Sequence, residues 1–260
     1  MTWPFENDTG AIVKRISNRS VSANRKRNIF IVLTIALASA LLSAIVLYGF
    51  GVMQETRNRN QKTAQIMFHA ISEQQGQELY HQEEIAWVGE FINAFSEQVN
   101  HSTVNFTYAN ADMLKSQGMP WLGDLPTLED EIVVQESFLN SLGYSSELGQ
   151  TIQIPFSDGT IHDFKLTGIL DVKTGDIGRY TAIISKAFVR QQYGSRGMID
   201  YYIGLRDAQN MREEEAASYA DTLAQQIGIS DDRVIVRSTY FNIKDENRGS
   251  DMLFYFLIGF

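Results

Sequence analysis

Few residues in this chain are spaced for chemistry. It holds four histidines, at 69, 81, 101 and 162, and no cysteine, so disulfides and thiolate metal sites are excluded. His81 and Glu84 stand at i and i+3 and could offer two ligands from one helix face, but two ligands do not complete a metal site. His69 falls on the polar side of an alternating segment, and His162 sits beside Asp163 near a turn signal. There is no G-x-x-x-x-G-K-[ST], and "GDIGRY" lacks the glycine spacing of a dinucleotide fingerprint. H-E-x-x-H and G-x-S-x-G are absent as well. The expectation is therefore no catalytic residue, no cofactor-binding residue and no metal ligand, in a chain that is not itself an enzyme. "EEEAAS", Glu213 to Ser218, reads as a solvated helix face, with its acids favourably placed near a helix N-terminus. Tyr201, Tyr202, Tyr240 and Phe241 read as core and sheet edge.

The elements that would hold these residues are divided by charge. Residues 1–28 carry six cations against Glu6 and Asp8, whereas the whole chain has a formal net charge of −9. The acidic total argues against nucleic acid as a partner. Between the basic start and the acidic body lie 25 residues without a charge, Ile29 to Met53. At 1.5 Å per residue they reach about 37 Å, enough for the ~30 Å hydrocarbon core of a bilayer. This is read as a transmembrane helix at 29–53, preceded by a cytoplasmic basic segment at 1–28. Ala36, Ala38, Ser39, Ala40, Ser43 and Ala44 are the small residues of helices that pack closely in lipid. "NRKRN" abuts the N-terminal side, which the positive-inside rule places in the cytoplasm. Ile12, Val13 and Ile16 can share one face of a short amphipathic helix lying on the inner interface. "MLFYFLIGF", at 252–260, reads as the first half of a second span.

Residues 54–251 then form an outer domain. "TAQIMFHAI" alternates as a strand with one buried face. From Gln77 to Val99, Ile85, Val88, Ile92, Phe95 and Val99 recur at steps of three and four, which predicts a long helix. "STVNFTYA" resumes alternation. Near the end, "DYYIGL" is a strand. Asn210 is expected to cap a helix with Glu213 in the capping-box position, and Gly228 to close it in the left-handed region. "RVIVRSTYF" is a further strand. Two strand–helix–strand halves predict an α+β fold of the split-βαβ kind. Between them, about 128–190, a small β-rich subdomain is expected to be inserted, with a hairpin turn at Asp158-Gly159 and a bulge beside it.

This order of elements resembles the MacB/FtsX-type ABC transporter permeases. "AIVKRISNRSVSANRKRNIFIVLTIALASALLSAIV" is similar to the entry helix and first span of such permeases. "LPTLEDEIVVQESFLNSLGYSSELGQTIQI", followed by "FKLTGILDV", follows the rhythm of their outer domain. The resemblance implies an extracytoplasmic domain at 54–251 in a multi-pass protein of the cell membrane. It implies a cytoplasmic ABC ATPase as partner, membrane lipid around the spans, and a homodimer or paired permease. It further implies that ATP hydrolysis by the partner moves the outer domain to export or release a peptide, lipoprotein or drug. The competing reading of the same residues is the ligand-sensing region of a transmembrane signalling receptor.

Overall fold

In the computed structural model of the chain, residues 9–171, 179–193, 198–242 and 244 are described. The expected second span, 252–260, lies outside them. The described residues fall into two compact units divided between Glu55 and Thr56.

In the first unit, helix α1 spans Thr9–Ala23 and helix α2 begins at Arg25. Ile12, Val13 and Ile16 of α1 are all exposed. Helix α2 spans Arg25–Lys62, and its stretch Arg25–Val52 is long and apolar enough to cross a bilayer. Many of its apolar side chains are largely exposed, with Leu37 at 63% and Leu42 at 62% exposure. In water such a surface would be very costly, and lipid supplies the missing contacts.

The second unit is built on one mixed sheet of ten strands. In chain order its elements are β1 (Ile66–Ile71), α3 (Glu73–Leu79), β2 (Ile85–Val99), β3 (Ser102–Ala109), α4 (Ala111–Ser116), β4 (Trp121–Gly123), β5 (Glu131–Gln135) and α5 (Glu136–Leu142). They continue with β6 (Thr151–Pro155), β7 (Ile161–Leu170), β8 (Arg179–Ile184), α6 (Lys186–Tyr193), β9 (Ile199–Leu205), α7 (Glu213–Ile227) and β10 (Val234–Val236). The strands lie in the order β10-β1-β9-β2-β3-β8-β5-β7-β4, and β6 also pairs with β7. Residues 128–190 thus supply β5 to β8, which continue the same sheet through the parallel pair β3–β8.

The expected helix from Gln77 to Val99 is corrected: α3 ends at Leu79, and Ile85–Val99 is a strand. Two irregularities in β2 explain the helical rhythm. The register shifts between Ile85 and Trp87 against β9, and again between Asn93 and Phe95 against β3. Each bulge adds one residue and flips the alternation. Steps of three therefore cross the bulges, from 85 to 88 and from 92 to 95. The steps of four, from 88 to 92 and from 95 to 99, are two ordinary strand repeats. The result mimics a helical stripe. Residues skipped by that stripe, Glu90 and Glu97, return to the same face as Val88 and Phe95.

Two other expectations shift. The cap of α7 is Arg212 rather than Asn210: its backbone N–H donates to Glu215 at 2.9 Å, while Asn210 Nδ2 donates to Asp207. The β6–β7 hairpin runs in unbroken register from Thr151↔Lys165 to Pro155↔Ile161, with Ile161 simply on the exposed face. The bulge lies instead between Leu166 and Gly168, where β7 meets β5. Gly143, Gly159 and Gly228 do adopt positive φ, at 83°, 86° and 67°.

One face of the sheet carries two apolar cores. Phe68, Val88, Tyr201 and Ile203 pack under α7 with Leu223 and Ala220. Phe106, Ile132, Phe138, Phe164 and Phe188 form the second, under α5 and α6. On the opposite face, α4 covers Ala109, Val133 and Ile183 through Met113 and Leu114. Gly76 of α3 lies so close to Tyr201 that an added Cβ would fall 1.9 Å from its ring. The Tyr201 hydroxyl is buried and has no hydrogen-bond partner among the described residues. Gly76→Ala is expected to destabilise the fold by about 1–3 kcal/mol through overpacking. Tyr201→Phe is expected to be neutral or stabilising, since it removes an unsatisfied buried hydroxyl. Thermal unfolding of the detergent-solubilised chain checks both.

Candidate functional site

A carboxylate is fixed in the middle of the cored face. Glu90 stands on β2 opposite Tyr201 of β9, on the face it shares with Val88 and Ile92. Its side chain is 6% exposed. Val88 belongs to the α7 core and Ile92 packs against both cores, so the carboxylate marks the seam between them. A buried charge must be paired and hydrogen-bonded to be tolerated.

Three elements meet that requirement. Tyr80, in the turn after α3, donates its hydroxyl to Glu90 Oε1 at 2.9 Å. Tyr108 of β3 donates to Oε2 at 2.8 Å. Lys186 Nζ, from the first turn of α6, lies 2.6 Å from Oε2 and 5.1 Å from the Tyr108 ring centre. The same ammonium reaches Glu73 Oε1 of α3 at 3.2 Å, and Arg190 of α6 pairs with the other oxygen of Glu73. The backbone of Glu90 is held as well. Asn110 Oδ1 accepts from Glu90 N at 3.0 Å and from Met113 N at 2.9 Å, so one side chain caps α4 and ties it to β2.

Local sequence explains each placement. Ser72 caps α3 with Gln75 reciprocating, which puts Glu73 in a first turn where an acid is favoured. Ser185 Oγ accepts from Phe188 N at 3.0 Å and starts α6. Lys186 then sits at a helix N-terminus, where the dipole disfavours a cation. The two carboxylates in front of it compensate. Burial raises the Tyr80 and Tyr108 hydroxyls well above the ordinary tyrosine range, and the Glu90 charge and hydrogen bonds add to it. Both stay protonated donors. For Glu73, burial opposes ionisation, yet the Arg190 and Lys186 hydrogen bonds and charges win and hold it below its ordinary value.

The arrangement can lock elements together; it offers no reacting group. The two tyrosine donors, the Glu90 acceptor and the Lys186 cation saturate one another. The histidines singled out from the sequence are scattered. His69 Nδ1 lies 2.8 Å from Asp200, with the His69 side chain more than half exposed. His81 and Glu84 lie in the turn between α3 and β2, not on a helix, and Glu84 accepts from Tyr219. His101 occupies the β2–β3 turn with φ of 65°, and His162 stacks on Phe156 at 4.2 Å. No cluster of three metal-ligating side chains occurs among the described residues. Tyr201, Tyr240 and Phe241 are buried in the α7 core, while Tyr202 meets Phe91 edge-on across the other face. Glu90 was hidden from sequence reasoning because a helix over 77–99 would point it away from the stripe. Gly89 and the run "IAWVGEFINAF", rich in β-branched and aromatic residues, were the signal against that helix.

The MacB-like periplasmic core domain family matches residues 29–219. Among solved structures, the chain is similar to the periplasmic region of MacB from Actinobacillus actinomycetemcomitans, at 14% identity, covering 66% of this chain and 86% of that one, with a TM-score of 0.45. It is similar to the extracellular domain of the noncanonic ABC-type transporter YknZ from Gram-positive bacteria, at 11% identity, 67% and 100% coverage and a TM-score of 0.46. A domain of a permease protein from Porphyromonas gingivalis gives 8% identity, 68% and 88% coverage and a TM-score of 0.48. No curated protein matches the chain.

Two outcomes test the network. Lys186→Met strands the Glu90 charge and is expected to cost about 3 kcal/mol, whereas Lys186→Met with Glu90→Leu recovers most of it. Denaturant titration of single and double variants reads this directly. Because the folded pKa of Glu73 lies below its unfolded one, its ionised form stabilises the fold above about pH 4.5. That contribution is lost as pH falls through the folded value. Glu73→Gln should therefore be less stable than the parent at neutral pH, with the gap closing in acid; unfolding curves at pH 7 and pH 3 check it.

Proposed function

The chain belongs to the MacB-like periplasmic core domain family of ABC-transporter permeases, and we propose that it is the permease subunit whose outer domain is moved by a separate cytoplasmic ATPase. Permeases of this family work with such an ATPase, and this one is a membrane protein with an extracellular domain. The observation that carries the proposal is the family match running from Ile29, in the apolar helix, into the sheet domain. The chain supplies motion and no chemistry: ATP is bound and hydrolysed by the partner. The cargo is a peptide, lipoprotein or drug on the outer side, and the working unit is a homodimer or a pair of permeases in a multi-pass assembly. The N-terminus lies in the cytoplasm, as the basic flank Arg25, Lys26 and Arg27 favours.

Stiffness at the domain's entrance supports a mechanical role. Gln65, three residues past α2, is buried at 1% exposure. Its Oε1 accepts from Leu205 N at 2.7 Å, its N–H donates to Ile203 O at 2.9 Å, and its carbonyl accepts from Arg237 N at 2.8 Å. One residue thus fastens the start of β1 to β9 and to the end of β10. A displacement delivered there enters the sheet through hydrogen bonds rather than a slack loop.

Three measurements bear on this. The sequence has no cysteine, so His101→Cys and Lys165→Cys report without background. A membrane-impermeant maleimide should label both in intact cells; labelling only after lysis would overturn the orientation. Co-reconstituted with its ATPase, the Gln65→Ala protein should lose most of the permease-dependent change in ATP hydrolysis while still assembling. ATP hydrolysis by the purified chain alone would refute the division of labour.

A further inference from the structure

On the α4 face of the sheet lies a cavity of about 470 Å³, within the range of small-molecule sites. All of its lining falls in the compact unit 56–250. Trp87, Met119, Pro120 and Trp121 form its walls, and the exposed Lys62 and Lys115 stand beside them.

The walls are set by specific departures from regular structure. The first bulge of β2 re-aims Trp87, and its indole lies over Gly204, where an added Cβ would fall 2.0 Å from Nε1. Any other residue at 204 would displace the indole. After α4, Gly118 takes φ of 66° and Met119 N donates back to Leu114 O at 2.9 Å, which reverses the chain and presents Met119-Pro120-Trp121. Pro120 O is then held by Asp171 N at 2.9 Å, and Trp121 is paired with Leu170 of β7. The site is thus preformed.

Its charges choose the ligand. Asp112 lies 3.7 Å from Lys115 and offsets it. Lys62 makes no ion pair among the described residues. A neutral hydrophobe filling the cavity would desolvate that ammonium without return. A cationic ligand would gain from the indole faces but meet two lysines. We propose that this cavity binds an anionic amphiphile, its apolar chain or ring between Trp87 and Trp121 and its carboxylate or phosphate on Lys62. The head could belong to a membrane lipid or to a free molecule. The inference goes beyond the coupling role, no step of which uses this cavity, so its failure would leave that role standing.

The chain's tryptophans are three, at 3, 87 and 121, so a Trp3→Phe background leaves emission from the cavity alone. The full chain is placed in phosphatidylcholine nanodiscs. One arm adds 9,10-dibromostearate from solution, and the other incorporates brominated phosphatidylglycerol in the disc. Saturable quenching is expected in at least one arm, and which arm responds names the source. Lys62→Glu should weaken it about tenfold, the loss of one charge-assisted contact, and Lys62→Arg should retain it. Quenching in neither arm, quenching unchanged in Lys62→Glu, or equal quenching by dibromostearyl alcohol would each overturn the proposal.

Discussion

The folded domain is organised around one buried charge. A carboxylate on the core face of a central strand cannot be left alone, because its desolvation costs several kcal/mol. Glu90 therefore dictates what must come to it: a hydroxyl from each side, Tyr80 and Tyr108, and a cation from above, Lys186. Those partners belong to the α3 turn, to β3 and to α6, which are far apart in the chain. Satisfying one side chain thus places three elements. It also places the seam, since the α7 core and the α5–α6 core meet where Glu90 stands. An apolar residue there would let the two cores merge and slide. A charge with fixed donors admits one arrangement.

How much of this could be read from the sequence follows from where alternation stays regular. The apolar helix, the strand Ile199–Leu205 and the α7 stripe were legible because nothing interrupts their period. Ile85–Val99 was not, because its two bulges convert a period of two into steps of three and four, the signature of a helix. The mimicry has a chemical consequence. A helix over 77–99 sends Glu90 and Glu97 to solvent, so the residue that organises the domain looked like surface. Pairing it with Lys186 required knowing that β2 and α6 are neighbours, and no local pattern carries that. Likewise Asn210 has the composition of a cap, but the chain enters α7 two residues later, where Glu215 can reach back to the Arg212 amide.

The sheet's edges are built against pairing with strands of another chain. The end strands β10 and β4 are three residues each, too short to template a neighbour. β6 closes on Pro155, which cannot donate to an added strand. Ten strands with short ends make a plate that is continuous from the Gln65 anchor to the β6–β7 hairpin, and its hydrogen bonds resist shear along that length.

The choice of ions over hydrocarbon at the seam bears on why such a plate would be built. A well-packed apolar cluster is often as stable as a buried ion pair or more so, which makes stability a weak reason for keeping one. Orientation is a better reason. Lys186 sits at the N-terminus of α6 against the helix dipole, and it is tolerated only while Glu90 and Glu73 face it together. Rotating α6 or withdrawing α3 would expose the ammonium to an unfavourable field and leave Glu90 unpaired, so both helices are held to one pose on the sheet. The proposed coupling role needs this property more than it needs depth of stability, because a helix free to slip would absorb a motion before it crossed the seam.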